Sequence, residues 1–128
     1  METHKIIVGY CRSASARDGD TSAVDEQKRK LEYFAKKYNF VIARFYVDVG
    51  VSGVTLERPA LKQLISDCEV GKVQMVLVAD LERIARNTTL LISALDKFQN
   101  LGIQVLCINK NGRGFFEILR GAAEELKP

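Results

Sequence analysis

The segment Val73 to Ala79 reads Val-Gln-Met-Val-Leu-Val-Ala, almost wholly apolar and rich in β-branched residues. A run this short and this apolar reads as a strand covered on both faces, because a strand with one wet face alternates apolar and polar residues. Such a strand cannot stand alone. It needs an apolar layer above it and another below, and the flanking sequence supplies them as helices with one apolar stripe each.

The chain alternates strand and helix throughout. Lys5 to Arg12 reads as a first strand. Thr21-Ser22 precedes a helix that Ser22 can cap, with Asp25 giving a capping-box-like start. Val24, Gln27, Leu31, Phe34, Ala35 and Tyr38 follow helical spacing, and Asn39 stops it. Phe40 to Asp48 is a second strand and Gly50 to Glu57 a loop. Pro59 suits the first position of a second helix, whose stripe is Leu61, Leu64, Ile65 and Cys68 and whose end is Gly71. After the third strand, Asp80 to Asn87 is a polar loop. Thr88 or Thr89 caps a third helix carrying Leu91, Ala94, Leu95, Phe98 and Leu101, closed by Gly102. Ile103 to Ile108 is a fourth strand and Asn109 to Gly114 a loop. Phe115, Ile118, Leu119, Ala122 and Leu126 mark a last amphipathic helix. Strand–helix units with short loops predict an α/β fold: a mostly parallel central sheet with helices on both faces. At 128 residues the whole chain, 1–128, is expected to be one such domain.

Composition excludes several classes. With 47% hydrophobic and 27% charged residues the chain should fold as a globule. No apolar run approaches the ~20 residues of a membrane helix, and the start lacks a signal-peptide core. Cys11, Cys68 and Cys107 are widely spaced and fit a reducing, cytoplasmic setting better than disulfides or a metal site. With His4 as the one histidine, a histidine-based zinc site or a Ser-His-Asp triad is disfavoured.

The net charge of +3 is too small to name a partner. The placement of the arginines says more. In an open parallel sheet the working loops lie at the carboxyl ends of the strands. Arg12 and Arg17 follow the first strand, Ser52, Thr55 and Arg58 the second, Arg83 and Arg86 the third, and Lys110 and Arg113 the fourth. A loop arginine taken singly is ordinarily solvated or paired with a nearby acid. Guanidinium forks converging from several loops suit a phosphate or another oxyanion. Neither GxGxxG nor GxxxxGK[ST] is present, so dinucleotide and P-loop readings fail.

These residues in this order resemble the catalytic domain of the serine recombinases, the family of resolvases, invertases and large serine integrases. The resemblance runs through Tyr10-Cys11-Arg12, Asp25-Glu26-Gln27, Phe45 to Gly53 followed by Leu56-Glu57-Arg58-Pro59, and Leu81-Glu82-Arg83-Ile84-Ala85-Arg86-Asn87. It implies site-specific DNA recombination. A serine hydroxyl attacks a DNA phosphodiester, leaving a 5′-phosphoserine link and a free 3′ hydroxyl. Strands are exchanged in a homo-oligomer, dimer to synaptic tetramer, with neither metal nor small-molecule cofactor. By the match, Arg12, Arg83 and Arg86 surround the scissile phosphate, Ser52 and Arg58 support it from the second loop, and Gln27 supports it from the first helix. Glu82 stands where the family usually has aspartate and could orient an arginine or relay a proton. The resemblance also implies a prokaryotic cell or mobile element, and a carboxyl-terminal DNA-binding region absent from this chain.

Two departures follow. The family pattern Tyr-x-Arg-x-Ser ends on the nucleophile, and here that position is Ala14, flanked by Ser13 and Ser15. Three readings stay open: an engineered knockout, a natural change in a degenerate recombinase, or Ser13 or Ser15 acting instead. Cys11 beside Arg12 is another conceivable nucleophile, although strand cysteines are ordinarily buried. The stretch from Asn109 to Gly114 is also shorter than the family's loop before its long helix. The expected activity is thus a recombinase catalytic domain that is inactive as written. Its alternatives are a non-catalytic module for self-association or regulation on DNA, and an α/β domain binding a small phosphorylated ligand.

Overall fold

The computed structural model describes residues 6–14, 21–50 and 56–108, together with the backbone of 115–117. The elements are β1 (Ile7–Ser13), α1 (Ser22–Lys37), β2 (Ile42–Val49), α2 (Pro59–Glu69), β3 (Met75–Val78), a 3-10 turn (Leu81–Arg83), α3 (Thr88–Asn100), β4 (Gln104–Ile108) and β5 (Phe115–Glu117). They form a sheet in the order β2-β1-β3-β4-β5. The first four strands are parallel, and β5 runs antiparallel to β4.

Two apolar layers sandwich the sheet, as the Val73–Ala79 run requires. Val24, Leu31 and Phe34 of α1 pack with Ile7, Cys11, Leu77 and Leu106. Leu61 and Leu64 of α2, and Leu91, Leu95 and Phe98 of α3, pack with Val8, Tyr10, Val76, Val78 and Val105. Alternate residues of β1 and β3 therefore feed opposite layers. Each large side chain so buried contributes about 1.5–3 kcal/mol. The chain moves outward from β1 to β2 over α1, then back across β1 to β3 over α2. Direction and face reverse together, which keeps both crossovers of one hand. The strand order thus reverses beside β1, and the carboxyl end of β1 is where such sheets form their crevice.

Close approach at one point fixes a residue type. A Cβ on Gly9 would stand 2.6 Å from Phe45 Cδ1 and Cε1, so the β1–β2 pairing admits only glycine there without displacing that ring.

Several ends differ from expectation. Thr21 occupies the N-cap of α1 rather than Ser22, and its hydroxyl donates to Asp25 Oδ2 at 2.8 Å. Asn87 caps α3 rather than Thr88 or Thr89: its Oδ1 accepts the Leu90 N–H at 2.8 Å. Asparagine is as strong a cap as threonine or stronger, and here it has the extended backbone a cap needs. Asn39 closes α1 in the left-handed region, with φ 61°. The largest correction is at Phe115. A helix is expected to start there, yet Phe115–Glu117 is a strand, with Ile108 opposite Phe115 and Leu106 opposite Glu117. Pairing satisfies the edge of β4. The rest of that expected helix (Ile118, Leu119, Ala122, Leu126), and the Asn109–Gly114 loop, lie outside the described residues. Among the described residues no helix is long and apolar enough to cross a membrane.

Candidate active site

Tyr10 and Arg12 extend from β1 on the side of α2 and α3. In register, Arg12 faces Asp48 of β2, and Tyr10 faces Val78 of β3. Asp48 is the hub between elements. Its carboxylate accepts the Tyr10 hydroxyl at 2.7 Å, the Ala60 N–H at 2.8 Å and the Leu61 N–H at 3.0 Å. Pro59 opens α2 without a donor, so the next two N–H groups are the ones in need of an acceptor. The α2 N-cap residue, Arg58, gives them no side-chain hydrogen bond. An acid at the end of a neighbouring strand caps the helix instead.

Arg58 turns inward and has no exposed surface. Its Nη1 donates to the Tyr10 hydroxyl at 2.9 Å and to the Arg83 carbonyl at 2.7 Å, and its Nη2 donates to the Ile84 carbonyl. The cation also lies 5.9 Å from the centre of the Tyr10 ring. Burying a guanidinium without acceptors would cost several kcal/mol, on the order of an unpaired buried charge. Carbonyls and a phenol supply the acceptors here.

Arg12 is buried as well, with Nε donating to the Arg83 carbonyl at 3.2 Å and Nη2 to the Glu82 carbonyl at 2.9 Å. Gln27 of α1 fixes its backbone from the other face. The Arg12 N–H donates to Gln27 Oε1 at 3.0 Å, and Gln27 Nε2 donates to the Arg12 carbonyl at 2.9 Å. Arg83 reaches back to the same carbonyl through Nη1 at 3.1 Å, while its Nε pairs with Asp80 Oδ2 at 3.2 Å. The side chain of Arg83 is about a quarter exposed, at 27%, and Arg86 lies on the surface.

The electrostatics follow from this crowding. Burial, and then the charge of Arg58, pull the Arg12 guanidinium below its ordinary pKa, with Arg83 and Arg86 adding to the effect. Burial and the hydrogen bond to Asp48 push the Tyr10 phenol up, so it stays a neutral donor. A cluster in which cations destabilise one another is one that an anion would stabilise.

The structure thus brings Arg12, Gln27, Arg58 and Arg83 into one hydrogen-bonded unit, with Arg86 within range of its field. Ala14 lies exposed in the bend just past β1. Ser13 is buried and its Oγ accepts the Gly50 N–H at 3.4 Å, so this hydroxyl is turned into the fold rather than toward solvent. Cys11 faces the α1 layer, and burial pushes its thiol up to about 12, which removes it as a nucleophile. The exposed Glu82 contributes its carbonyl; the carboxylate that orients Arg83 is Asp80. Ser15 and Ser52 lie outside the described residues. Asp48 and the carbonyls of residues 82 to 84 are the parts that sequence reasoning did not assign. The available signal was an acid inside an otherwise apolar run, Phe-Tyr-Val-Asp-Val.

Residues 7–126 match the family model described as the resolvase N-terminal domain. A candidate DNA recombinase of Bacillus subtilis (strain 168) is 30% identical over 112 residues, which is 83% of this chain and 22% of that protein. The chain therefore spans about a fifth of this relative's length. The crystal structure of the N-terminal catalytic domain of TP901-1 integrase superposes with a TM-score of 0.79 at 26% identity, covering 94% of this chain and 88% of that one. A resolvase family site-specific recombinase from Streptococcus pneumoniae shares the fold, with a TM-score of 0.71 at 24% identity over 95% of this chain and 87% of that one.

Proposed function

The chain belongs to the serine recombinases, as a resolvase-type N-terminal domain, and on that premise we propose that it grips the DNA phosphate at which strands are cut and rejoined, with the attacking group missing at Ala14. The observation that carries the proposal is the convergence of Arg12, Arg58 and Arg83 at the carboxyl end of β1, with the charge of Arg86 acting on Arg12. A phosphoryl transition state spreads negative charge over its equatorial oxygens, and positioned guanidiniums can stabilise it.

With a serine at position 14 the step balances simply. The hydroxyl oxygen forms a bond to phosphorus and loses its proton, and the bond from phosphorus to the 3′ oxygen breaks. The departing 3′ oxygen takes a proton. The reverse attack by a 3′ hydroxyl reseals the strand. In this reading Arg83 and Arg86 meet the phosphate, Arg12 holds the turn beneath them, Gln27 fixes Arg12, and Ser52 assists from the β2–α2 loop. Partner copies assemble as a dimer and then a synaptic tetramer on DNA. Sequence reading falls to a carboxyl-terminal region beyond this chain, and the setting is cytoplasmic.

The exposed methyl of Ala14 favours a second reading, a recombinase-like module that binds DNA or its own kind without cutting. Restoring the hydroxyl separates the two. Ala14→Ser in the full-length gene product, incubated with DNA from its own genome, should yield protein joined to 5′ ends. Adding Arg83→Ala should abolish the adduct. An adduct that survives loss of Arg83 sinks the site assignment. Absence of any adduct, with DNA binding intact, selects the non-catalytic module. Tight binding of a small phosphorylated ligand with no affinity for DNA would instead select the third reading.

A further inference from the structure

We infer that Arg58 is a positioning residue and not a phosphate ligand: it sets the direction of the turn bearing Arg83 and Arg86, acting through the carbonyls of Arg83 and Ile84. The inference rests on the phosphate-gripping role proposed above for those two arginines.

Exposure sorts the arginines into an inner and an outer pair. Arg58 has 0% exposure and Arg12 2%, whereas the Arg83 side chain reaches 27% and Arg86 is on the surface. A phosphate arriving from solvent meets the outer pair. Arg58 offers it no accessible surface.

What Arg58 holds is specific. The two carbonyls it contacts are consecutive, at the point where the 3-10 turn ends. Acceptors on successive peptide units fix two peptide planes, and so both the height and the tilt of the turn. Arg83 is one of these residues, and Arg86 follows Ile84 by two. Between them Ile84 and Ala85 are buried, so the segment is pinned from inside while its arginines face out.

The clamp is itself anchored at both ends. The backbone of Arg58 sits at the first turn of α2, where the Lys62 N–H donates to the Arg58 carbonyl at 2.8 Å. Its guanidinium is steadied by the Tyr10 hydroxyl, which passes the constraint to Asp48 at 2.7 Å. A planar fork can bridge two carbonyls and a phenol together. An ammonium is a point charge and cannot reproduce that geometry. Phosphoryl transfer makes such control matter, since misplacing a contact by about 1 Å can cost on the order of a hundredfold in rate.

The test uses Arg58→Gln, which removes the charge, and Arg58→Lys, which keeps it. Amide exchange across residues 81–86 is read on the free chain. Affinity for a short DNA duplex is read against salt concentration. We expect both substitutions to speed exchange across 81–86 by about tenfold, as the loss of one or two hydrogen bonds to a local segment implies. Neither should change the slope of log affinity against log salt. Arg86→Gln should do the opposite, reducing that slope by about 0.9 and leaving exchange alone. Unchanged exchange in both Arg58 variants overturns the inference. So does a slope lowered by Arg58→Gln and restored by Arg58→Lys, because that pattern marks a phosphate contact. Should either variant unfold, Tyr10→Phe removes the phenol anchor alone and must speed exchange in the same segment if the inference holds. A parent chain with no affinity for DNA would defeat the phosphate reading, while the exchange measurements would still decide the clamp.

Discussion

Replacing Asp48 by alanine is the sharpest test of how the site is held together. The substitution removes one carboxylate and strands three donors: the Tyr10 hydroxyl, the Leu61 N–H and the Ala60 N–H. Tyr10 and Leu61 have no exposed surface, so their donors gain no solvent in exchange. An unsatisfied buried donor costs about 1–3 kcal/mol, and partial relaxation brings two of them to about 3 kcal/mol together. Ala60 is partly exposed and turns its N–H to water, adding about 0.5 kcal/mol, the low end for a lost cap. A loss of about 3 kcal/mol is a large share of the about 5–15 kcal/mol by which domains are stable. In urea it should lower the midpoint by roughly 1.5 M at a slope near 2 kcal/mol/M, with the slope itself unchanged. Asp48→Asn keeps one acceptor oxygen and should lose about half as much. Glu57→Ala is the control: its 3.1 Å pair with Lys62 joins side chains that are both largely exposed, and its removal should hardly move the midpoint. An Asp48→Ala midpoint within about 0.5 M of the parent refutes the hub.

Two further outcomes follow from the packing. Gly9→Ala places a methyl 2.6 Å from the Phe45 ring and 3.1 Å from Leu31 Cδ1, and should lower the thermal midpoint by several degrees for about 1–2 kcal/mol of strain; adding Phe45→Ala should recover part of it, and an additive loss in the double variant refutes the contact. Burial pushes the thiols of Cys11 and Cys68 from 9.0 up to about 12, so above about pH 9 the unfolded chain sheds protons that the folded one keeps. Stability should therefore fall with rising pH, by at most about 1.4 kcal/mol per pH unit per thiol. Urea melts at pH 8 and pH 10 read this, and Cys11→Ala should flatten the fall; an equal fall in that variant refutes the assignment to Cys11.

The order of strands and helices is legible in the sequence because each depends on a local period. The Val73–Ala79 run and the stripes of α1, α2 and α3 need only their own residues to declare themselves. Helix starts are less legible where several capping types adjoin. Thr21-Ser22 and Asn87-Thr88-Thr89 each offer more than one cap, and where the chain bends into the helix decides between them. At Phe115 the deciding factor is not local at all. The open edge of β4 draws Phe115–Glu117 into a strand, although the residues that follow repeat with a helical period. The site divides in the same way. That Arg12, Arg58, Arg83 and Arg86 gather at one edge follows from topology. Which of them turn inward depends on carbonyls contributed by a distant turn, and no spacing along the chain announces that.

The inner and outer arginines explain why the shape of the domain does not depend on the side chain at position 14. Like charges crowded together destabilise a fold unless something answers them. Backbone carbonyls of residues 82 to 84 answer Arg12 and Arg58, and Asp80 answers Arg83. Asp48 spends its hydrogen-bonding capacity on Tyr10 and the start of α2. None of these contacts passes through Ala14, which stands exposed beyond the last residue of β1. A serine at that position adds a hydroxyl at the surface and disturbs no buried partner. Ala14→Ser should accordingly leave the stability read from urea unfolding within about 0.5 kcal/mol of the parent, the usual range for a surface exchange. The residue at position 14 and the arginine cluster are thus separable in this fold, and the cluster is the part that the packing builds.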